Sequence, residues 1–179
     1  MRAFVAVDLP FAVQEALETV QERLPVGRPT DPEQFHLTLA FLDDQPGDVL
    51  EELHHELERV KLPRFALQMR GLGTFGKHEP RVLWAGVEPE PALKELRGKV
   101  RSAARVAGIE LSRERFRPHV TLARFDERME PDELEKLRRF LEIWETFPSP
   151  PFEVTEFVLY RSILGKGGAV HEALAEYPL

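Results

Sequence analysis

The hexapeptide FHLTLA at residues 35–40 recurs in the second half of the chain as PHVTLA at residues 118–123. Each copy contains a histidine, an aliphatic residue, a threonine and a second aliphatic residue. No other His-x-Thr occurs in the sequence, and each half of the chain contains one copy. The repeat therefore predicts two similar halves that each contribute one histidine and one threonine.

Both copies are typical of β-strands, because they are aliphatic, contain threonine and are flanked by turn-forming or charged residues. Side chains alternate between the two faces of a strand. His36 and Thr38 are therefore expected on one face, and His119 and Thr121 on the corresponding face of the second strand. The aliphatic residues between them would anchor each strand in a core.

The chemistry of these side chains suits a phosphate ester. Imidazole has an unperturbed pKa of about 6.5, so it gives or takes a proton near neutrality. A threonine hydroxyl two residues away can donate to a phosphate oxygen at the same surface. One such strand is more often structural than functional, but two histidines facing one cleft provide a general acid and a general base without a metal.

Composition indicates a globular protein with no cysteine chemistry. The 179 residues are enough for one domain or two small lobes, and the 42% hydrophobic content is ordinary. There is no long apolar run, so no membrane span is expected. Cysteine is absent, which excludes disulfides, thiolate catalysis and cysteine zinc sites. A cytoplasmic monomer is the expectation.

The charge distribution limits the expected partner. A formal net charge of −7 argues against a protein that grips DNA or long stretches of RNA backbone. Residues 101–124 are locally basic, with six arginines against two glutamates. This cluster leads into the second motif and suits one phosphate at an RNA end, although a solvated face is the alternative. Its arginines are Arg101, Arg105, Arg113, Arg115, Arg117 and Arg124.

Hydrophobic periodicity and turn residues predict an α+β fold. The duplication favours a bilobal body of two antiparallel-rich sheets backed by helices, with a central cleft between them. No linker is evident, so residues 1–179 are predicted to form a single compact two-lobed domain. Strands are predicted at 2–8, 35–42, 65–72, 81–88, 118–125, 152–163 and 169–175, and helices at 10–24, 47–60, 91–107 and 131–142.

The chain resembles the two-histidine phosphoesterase superfamily and, within it, the RNA 2′,3′-cyclic phosphodiesterases, also called 2′-5′ RNA ligases. The segments that carry the resemblance are RAFVAVDLP at 2–10, HLTLAFL at 36–42 and FRPHVTLAR at 116–124. Such relatives open an RNA 2′,3′-cyclic phosphate to a 2′-phosphomonoester without a cofactor, and some join tRNA halves in reverse. The resemblance implies that His36 and His119 are catalytic and that Arg124 binds phosphate.

Opening a cyclic phosphate with water requires an acid on the departing ribose oxygen and a base on the water. We assign His36 as the acid and His119 as the base, although the pseudo-symmetric motifs leave the reverse open. Thr38 and Thr121 would hold the non-bridging phosphate oxygens. The function is then a metal-independent cyclic phosphodiesterase; the alternatives are a 2′-5′ RNA ligase acting on tRNA halves and a non-catalytic RNA-end binding module.

Two positions raise a geometric question. Strict alternation places Arg124 on the face opposite His119, so a phosphate-binding role requires the strand to twist or end, or the side chain to reach round its edge. Phe41 is the equivalent residue of the first motif, where it would either stack on an unpaired base or pack in the core.

Other features are assigned to structure rather than chemistry. Trp84 and Trp144 are expected to be packing residues, and His78 and His171 to lie in or near turns. His54 and His55 are expected on a solvated helix face rather than at a metal. Gly71-x-Gly73-x-x-Gly76 is rejected as a dinucleotide fingerprint because it precedes a strand rather than opening a helix.

Overall fold

The computed structural model describes residues 1–179. It contains four α-helices, ten strands and a short 3₁₀ helix at Pro32–Gln34. In chain order the elements are β1 (Arg2–Asp8), α1 (Phe11–Glu22), β2 (Arg28–Pro29), β3 (His36–Asp44), α2 (Gly47–Glu58), β4 (Phe65–Leu67), β5 (Met69–Phe75), β6 (Val82–Val87), α3 (Pro91–Val106), β7 (His119–Arg124), α4 (Pro131–Trp144), β8 (Phe152–Val154), β9 (Glu156–Gly165) and β10 (Gly168–Pro178).

Two four-stranded antiparallel sheets form the framework, which confirms the predicted α+β class. The first sheet has the order β10-β9-β1-β3, and the second has the order β2-β7-β6-β5. Strands β4 and β8 form a separate two-stranded sheet. Each motif strand thus belongs to its own sheet, and β3 and β7 lie against each other. This contact brings the two His-x-Thr motifs to the junction of the two sheets.

The helices begin and end where the sequence predicts, to within two residues. Pro10 and Pro46 are the N-caps of α1 and α2, and Pro91 opens α3 at a position where the missing N–H costs nothing. Gly108 follows α3 with φ of +85°, a left-handed conformation that favours glycine. No helix is long and apolar enough to cross a membrane.

The two faces of the first sheet have different roles. One face joins a core of 40 buried residues that includes side chains from both large sheets. The other face has a small cluster of its own, made by Phe4, Ala6, Val158 and Tyr160. Asp8 and His36 extend this second face, because they pair in register at the end of β1 and β3. The small cluster therefore supports the first motif from its own side of the sheet.

Strand β3 contains a β-bulge directly after its threonine. Thr38 pairs with Ala6, but Ala40 pairs with Val5, so Leu39 is an extra residue with no partner of its own. A bulge of this kind reverses the alternation that follows it. Phe41 consequently lies on the face that His36 and Thr38 occupy.

Strand β7 contains the same bulge at the same distance from its histidine. Thr121 pairs with Trp84 and Ala123 pairs with Leu83, which leaves Leu122 as the extra residue. Arg124 then pairs with Val82 on the face of Thr121. The expectation that Arg124 faces away from His119 is therefore wrong. The cause is the bulge rather than a twist or the end of the strand.

Smaller differences from the sequence predictions concern the remaining strands. The predicted strand at 65–72 is divided into β4 and β5, and the one at 152–163 is divided at Thr155. Strand β5 continues to Phe75, beyond the predicted end at residue 72, and so includes Gly73. The Gly-rich segment at residues 165–168 forms the hairpin turn between β9 and β10, with Gly165 paired to Gly168.

Candidate active site

The His36 side of the site is built by the first sheet around a carboxylate. The imidazole Nε2 of His36 lies 3.7 Å from Oδ1 of Asp8, and the His36 side chain is only 11% exposed. The Tyr160 hydroxyl donates a hydrogen bond of 2.6 Å to the same carboxylate oxygen. Asp8 is thus fixed between a phenol and an imidazole.

These surroundings act on the pKa of His36 in opposite directions. Burial lowers the pKa of His36 and is the largest effect, whereas the charge of Asp8 and the backbone of Gln34 raise it. Burial, followed by the bond to Asp8, raises the pKa of Tyr160, so its hydroxyl stays a proton donor. The net result is a lowered pKa of His36, and Asp8 limits how far it falls.

A third histidine lies beside His36, which the sequence did not predict. The rings of His36 and His171 are 5.3 Å apart, and Phe4 contacts the His171 ring edge-on at 4.8 Å. His171 lies in the middle of β10, opposite Ser162, and not in a turn. Burial and the neighbouring His36 lower its pKa. No local signal identified it, because 135 positions separate it from the first motif.

The His119 side of the site has a different construction. Its Nδ1 atom lies 2.7 Å from the backbone oxygen of Arg117. Because a carbonyl only accepts, Nδ1 carries the hydrogen, and Nε2 of the neutral ring has a free lone pair. Phe75 packs edge-on against the ring at 4.9 Å with an interplanar angle of 88°. This geometry suits proton acceptance at Nε2.

A cavity of about 460 Å³ lies beside His119. Trp84 forms part of its wall, and the ring lies across Gly73 and Gly86, where any Cβ would crowd it. The indole Nε1 of Trp84 is buried without a hydrogen-bond partner. The sequence assigned Trp84 to packing, but the residue is only partly buried and lines this cavity. Trp144, in contrast, packs against the main core as expected.

The two threonines and the two residues beyond the bulges complete the motif faces. Thr38 and Thr121 are each half-buried. Phe41 is 67% exposed and lies 6.3 Å from the Phe4 ring, so the interpretation of Phe41 as a core residue is wrong. Arg124 is exposed and forms no ion pair. The structure therefore leaves an aromatic ring on one strand and a free cation on the other.

The basic cluster before His119 is divided between anchored and free arginines. Arg101 donates to the Ser112 carbonyl, while Arg97, just outside the predicted cluster, stacks over Phe116 at 4.5 Å. These contacts hold the loop that leads into β7. Its three arginines are exposed and unpaired: Arg113, Arg115 and Arg117.

The remaining histidines are outside the motifs. His54, His55 and Glu58 on α2 bring their potential ligand atoms within 4.8 Å of one another. Nδ1 of His54 lies 2.9 Å from the Tyr177 hydroxyl, so this nitrogen already has a partner within the protein. His78 is exposed, and no motif residue accompanies it.

Comparisons with known proteins identify the family of the chain. The family model described as the 2′-5′ RNA ligase superfamily matches residues 7–165. A curated relative from Geobacillus stearothermophilus, named RNA 2′,3′-cyclic phosphodiesterase, is 36% identical over 98% of the chain, which spans 56% of that relative. A relative of the same name from Thermotoga maritima is 32% identical and covers 98% of the chain and 94% of its own length.

A solved structure extends the agreement to the fold. E. coli LigT complexed with 3′-AMP has a TM-score of 0.82 at 29% identity, covering 99% of this chain and 97% of LigT. The family model and the Thermotoga relative both match most of the chain, and the region matched by the model contains both His-x-Thr motifs of this sequence. We conclude that the chain belongs to the 2′-5′ RNA ligase superfamily.

Proposed function

We propose that this protein hydrolyses RNA 2′,3′-cyclic phosphate ends to 2′-phosphomonoesters by metal-independent catalysis with two histidines. The observation that carries the proposal is the pair of opposite histidine environments on two contacting strands. His36 lies beside a carboxylate, and His119 has its Nδ1 bound to a carbonyl. The names of the curated relatives support the same reaction.

In the proposed step, Nε2 of His119 removes a proton from a water molecule, whose oxygen attacks phosphorus. The bond between phosphorus and O3′ breaks, and His36 gives its proton to O3′. Attack and departure are in line, so the phosphate lies between the two imidazoles. The product has a 2′-phosphate and a free 3′-hydroxyl.

The charges around the two rings support this division of roles. Asp8 stabilises the imidazolium form of His36, the form needed in an acid. His119 forms no ion pair with a carboxylate, and its Nδ1 is bound to the Arg117 carbonyl instead. A phosphate that enters the cleft would add to the stabilisation of protonated His36. Because burial lowers the pKa of His36 overall, its role as the acid depends on Asp8 and the phosphate charge to retain the proton.

The remaining site residues are proposed to hold the substrate. Thr38 and Thr121 would donate to the non-bridging oxygens, and Arg124 would pair with the phosphate charge. A hydrogen bond to a charged group contributes about 1.5–3 kcal/mol. Phe41 would stack on the base of the terminal nucleotide, where an aromatic contact contributes about 1–3 kcal/mol.

A short RNA with a 2′,3′-cyclic phosphate provides the test, with the product identified by ³¹P NMR. A 2′-phosphomonoester is the expected product. A 3′-phosphomonoester would contradict the regiochemistry proposed here. If the RNA binds and stays intact, the protein is an RNA-end binding module rather than an enzyme.

The second candidate function is 2′-5′ RNA ligation, in which an RNA 5′-hydroxyl attacks instead of water. The description of the matching family favours it, and tRNA halves are the substrates that the resemblance suggests. We further propose that residues 1–179 act as one monomeric unit in the cytoplasm. Gel filtration with light scattering tests the monomer.

A further inference from the structure

We infer that His54, His55 and Glu58 on α2 form a binding site for one Zn²⁺ ion, separate from the catalytic cleft. The inference does not depend on the proposed function, because the site shares no residue with either His-x-Thr motif. Imidazole nitrogens suit zinc and other transition metals rather than magnesium or calcium, and a carboxylate is a common third ligand of zinc.

The spacing of the ligand atoms is the first argument. Nε2 of His54 lies 3.6 Å from Oε1 of Glu58, and Nδ1 of His55 lies 3.6 Å from Oε2 of the same carboxylate. Zinc binds nitrogen and oxygen at about 2.0–2.2 Å, so two ligands of a tetrahedral ion lie about 3.3–3.6 Å apart. The two nitrogens lie within 4.8 Å of each other, and a rotation of the exposed His55 ring closes this last edge.

All three ligands are accessible to an ion from solvent, which is the second argument. The side chains of His54, His55 and Glu58 are 37%, 56% and 55% exposed. His54 and Glu51 also line a cavity of about 270 Å³ beside α2. An ion therefore reaches the ligands without any opening of the core, and a water molecule can take the fourth position.

Tyr177 orients the first ligand, which is the third argument. Nδ1 of His54 lies 2.9 Å from the Tyr177 hydroxyl. When Nδ1–H donates to that oxygen, the ring lone pair is on Nε2, the atom beside Glu58. Tyr177 is 3% exposed and stacks on the buried Phe157 ring at 4.9 Å, so its oxygen is fixed in position. Zinc-bound histidines almost always have such a partner on the second nitrogen.

The charge of α2 also favours a cation. The helix contains no lysine or arginine, and Glu58 has only the two histidines as ion-pair partners. Arg59, the residue that follows the helix, pairs with Glu56 instead. Five carboxylates belong to the helix: Asp48, Glu51, Glu52, Glu56 and Glu58.

The site lies on the other side of the first sheet from His36. Tyr177 belongs to the core of 40 buried residues, whereas His36 lies on the face that carries the small cluster of Phe4 and Tyr160. A zinc ion bound to His54 would link α2 to β10 through Tyr177. We therefore expect it to stabilise the fold without taking part in the reaction.

The experiment measures zinc uptake and thermal stability of the whole chain after removal of bound metal. Calorimetric titration with ZnCl₂ should give one ion per chain, and free zinc at about a hundredfold excess over Kd should raise Tm by about 5–10 °C. His54→Gln and, at a more exposed position, His55→Ala should each abolish both effects. Tyr177→Phe keeps all three ligands and should weaken zinc binding about 10–100-fold.

His78→Gln is the matched control, since His78 is an exposed histidine outside the site; its zinc uptake should equal that of the wild type. The absence of stoichiometric uptake by the wild type would overturn the inference. Uptake that persists in both His54→Gln and His55→Ala, or that is lost in His36→Ala, would place the ion elsewhere and overturn it as well. Equal affinities of Tyr177→Phe and the wild type would overturn the orienting role of Tyr177.

Discussion

Strands β3 and β7 share a backbone pattern over their first six residues but surround their histidines with different groups. Their first six residues share one burial pattern, and each strand has a bulge directly after its threonine. Yet His36 is nearly buried against Asp8, while His119 is bound to a backbone carbonyl beside an open cavity. The comparison teaches that the repeated strand only presents the imidazole. In the proposed mechanism, the neighbouring elements decide whether that imidazole serves as acid or base.

The largest expected effect tests whether both strands are needed. Replacing either His36 or His119 with alanine should lower kcat by about 10²–10⁴-fold, because each residue carries a separate proton transfer. The rate of cyclic phosphate opening measures this loss. His55→Ala, an exposed histidine on α2, is the control and should keep the wild-type rate. Near-normal turnover in either motif variant would contradict the assignment of His36 and His119 as the acid–base pair.

The next largest effects are expected at Arg124 and Phe41, the residues that follow the two bulges. Arg124→Ala should lower kcat/KM by about tenfold or more, since it loses a charged hydrogen bond to the phosphate. Phe41→Ala should raise KM for a cyclic nucleotide by a similar or smaller factor, through lost stacking. The distinguishing measurement uses a cyclic phosphate without a base: Arg124→Ala should still impair it, and Phe41→Ala should not. Equal effects of both variants on both substrates would contradict the division of roles.

A smaller effect concerns the pH profile. The acid His36 must be protonated, and burial lowers its pKa, so the alkaline limb of kcat/KM for the free protein should lie below the usual histidine value of about 6.5. Asp8 opposes that shift. Asp8→Asn should therefore move the alkaline limb to still lower pH and reduce the rate at neutral pH by about two- to fivefold.

Asp44→Asn is the control for this measurement, since Asp44 lies at the far end of the same strand pair. Its profile should match the wild type. An alkaline limb that stays in place in Asp8→Asn would show that Asp8 does not act on the acid. A rate that rises through pH 9 without any alkaline limb would show that the reaction does not need a general acid.

Removal of metal ions is expected to have no effect. Dialysis against EDTA should leave activity unchanged, because the proposed mechanism uses only imidazoles, hydroxyls and arginine. Activity measured before and after dialysis, and again with added divalent ions, is the check. Loss with EDTA and recovery with one ion would contradict a reaction carried by the two histidines alone.

The sequence predicted the elements well, because their signals are local. Proline openings, Gly108 after α3 and aliphatic periodicity all act within one turn or one strand. The repeated His-x-Thr identified both motif strands for the same reason. The bulges were not predicted, because Leu39 and Leu122 are extra residues only in relation to the register of the neighbouring strand. The contacts of His36 with Asp8 and His171 also depend on pairing across the sheet.

The error about Arg124 and Phe41 has the same origin. Strict alternation predicts which face of the strand each side chain occupies. One extra residue in a bulge reverses that prediction for every residue beyond it. Trp84 was misassigned because large aromatic side chains are usually packed. Its position over Gly73 is a property of the β5–β6 pair and not of either segment alone.

The paired bulges also matter for how such a protein can change. Positions 41 and 124 lie on the strand faces that carry His36 and His119, whereas the residues just before them are buried in the core. Each half therefore has one slot whose side chain can be exchanged without repacking the interior. Phenylalanine at one position and arginine at the other make the two similar strands chemically different. The same two slots offer protein engineers a place to change which ligand the cleft accepts while leaving the histidines untouched.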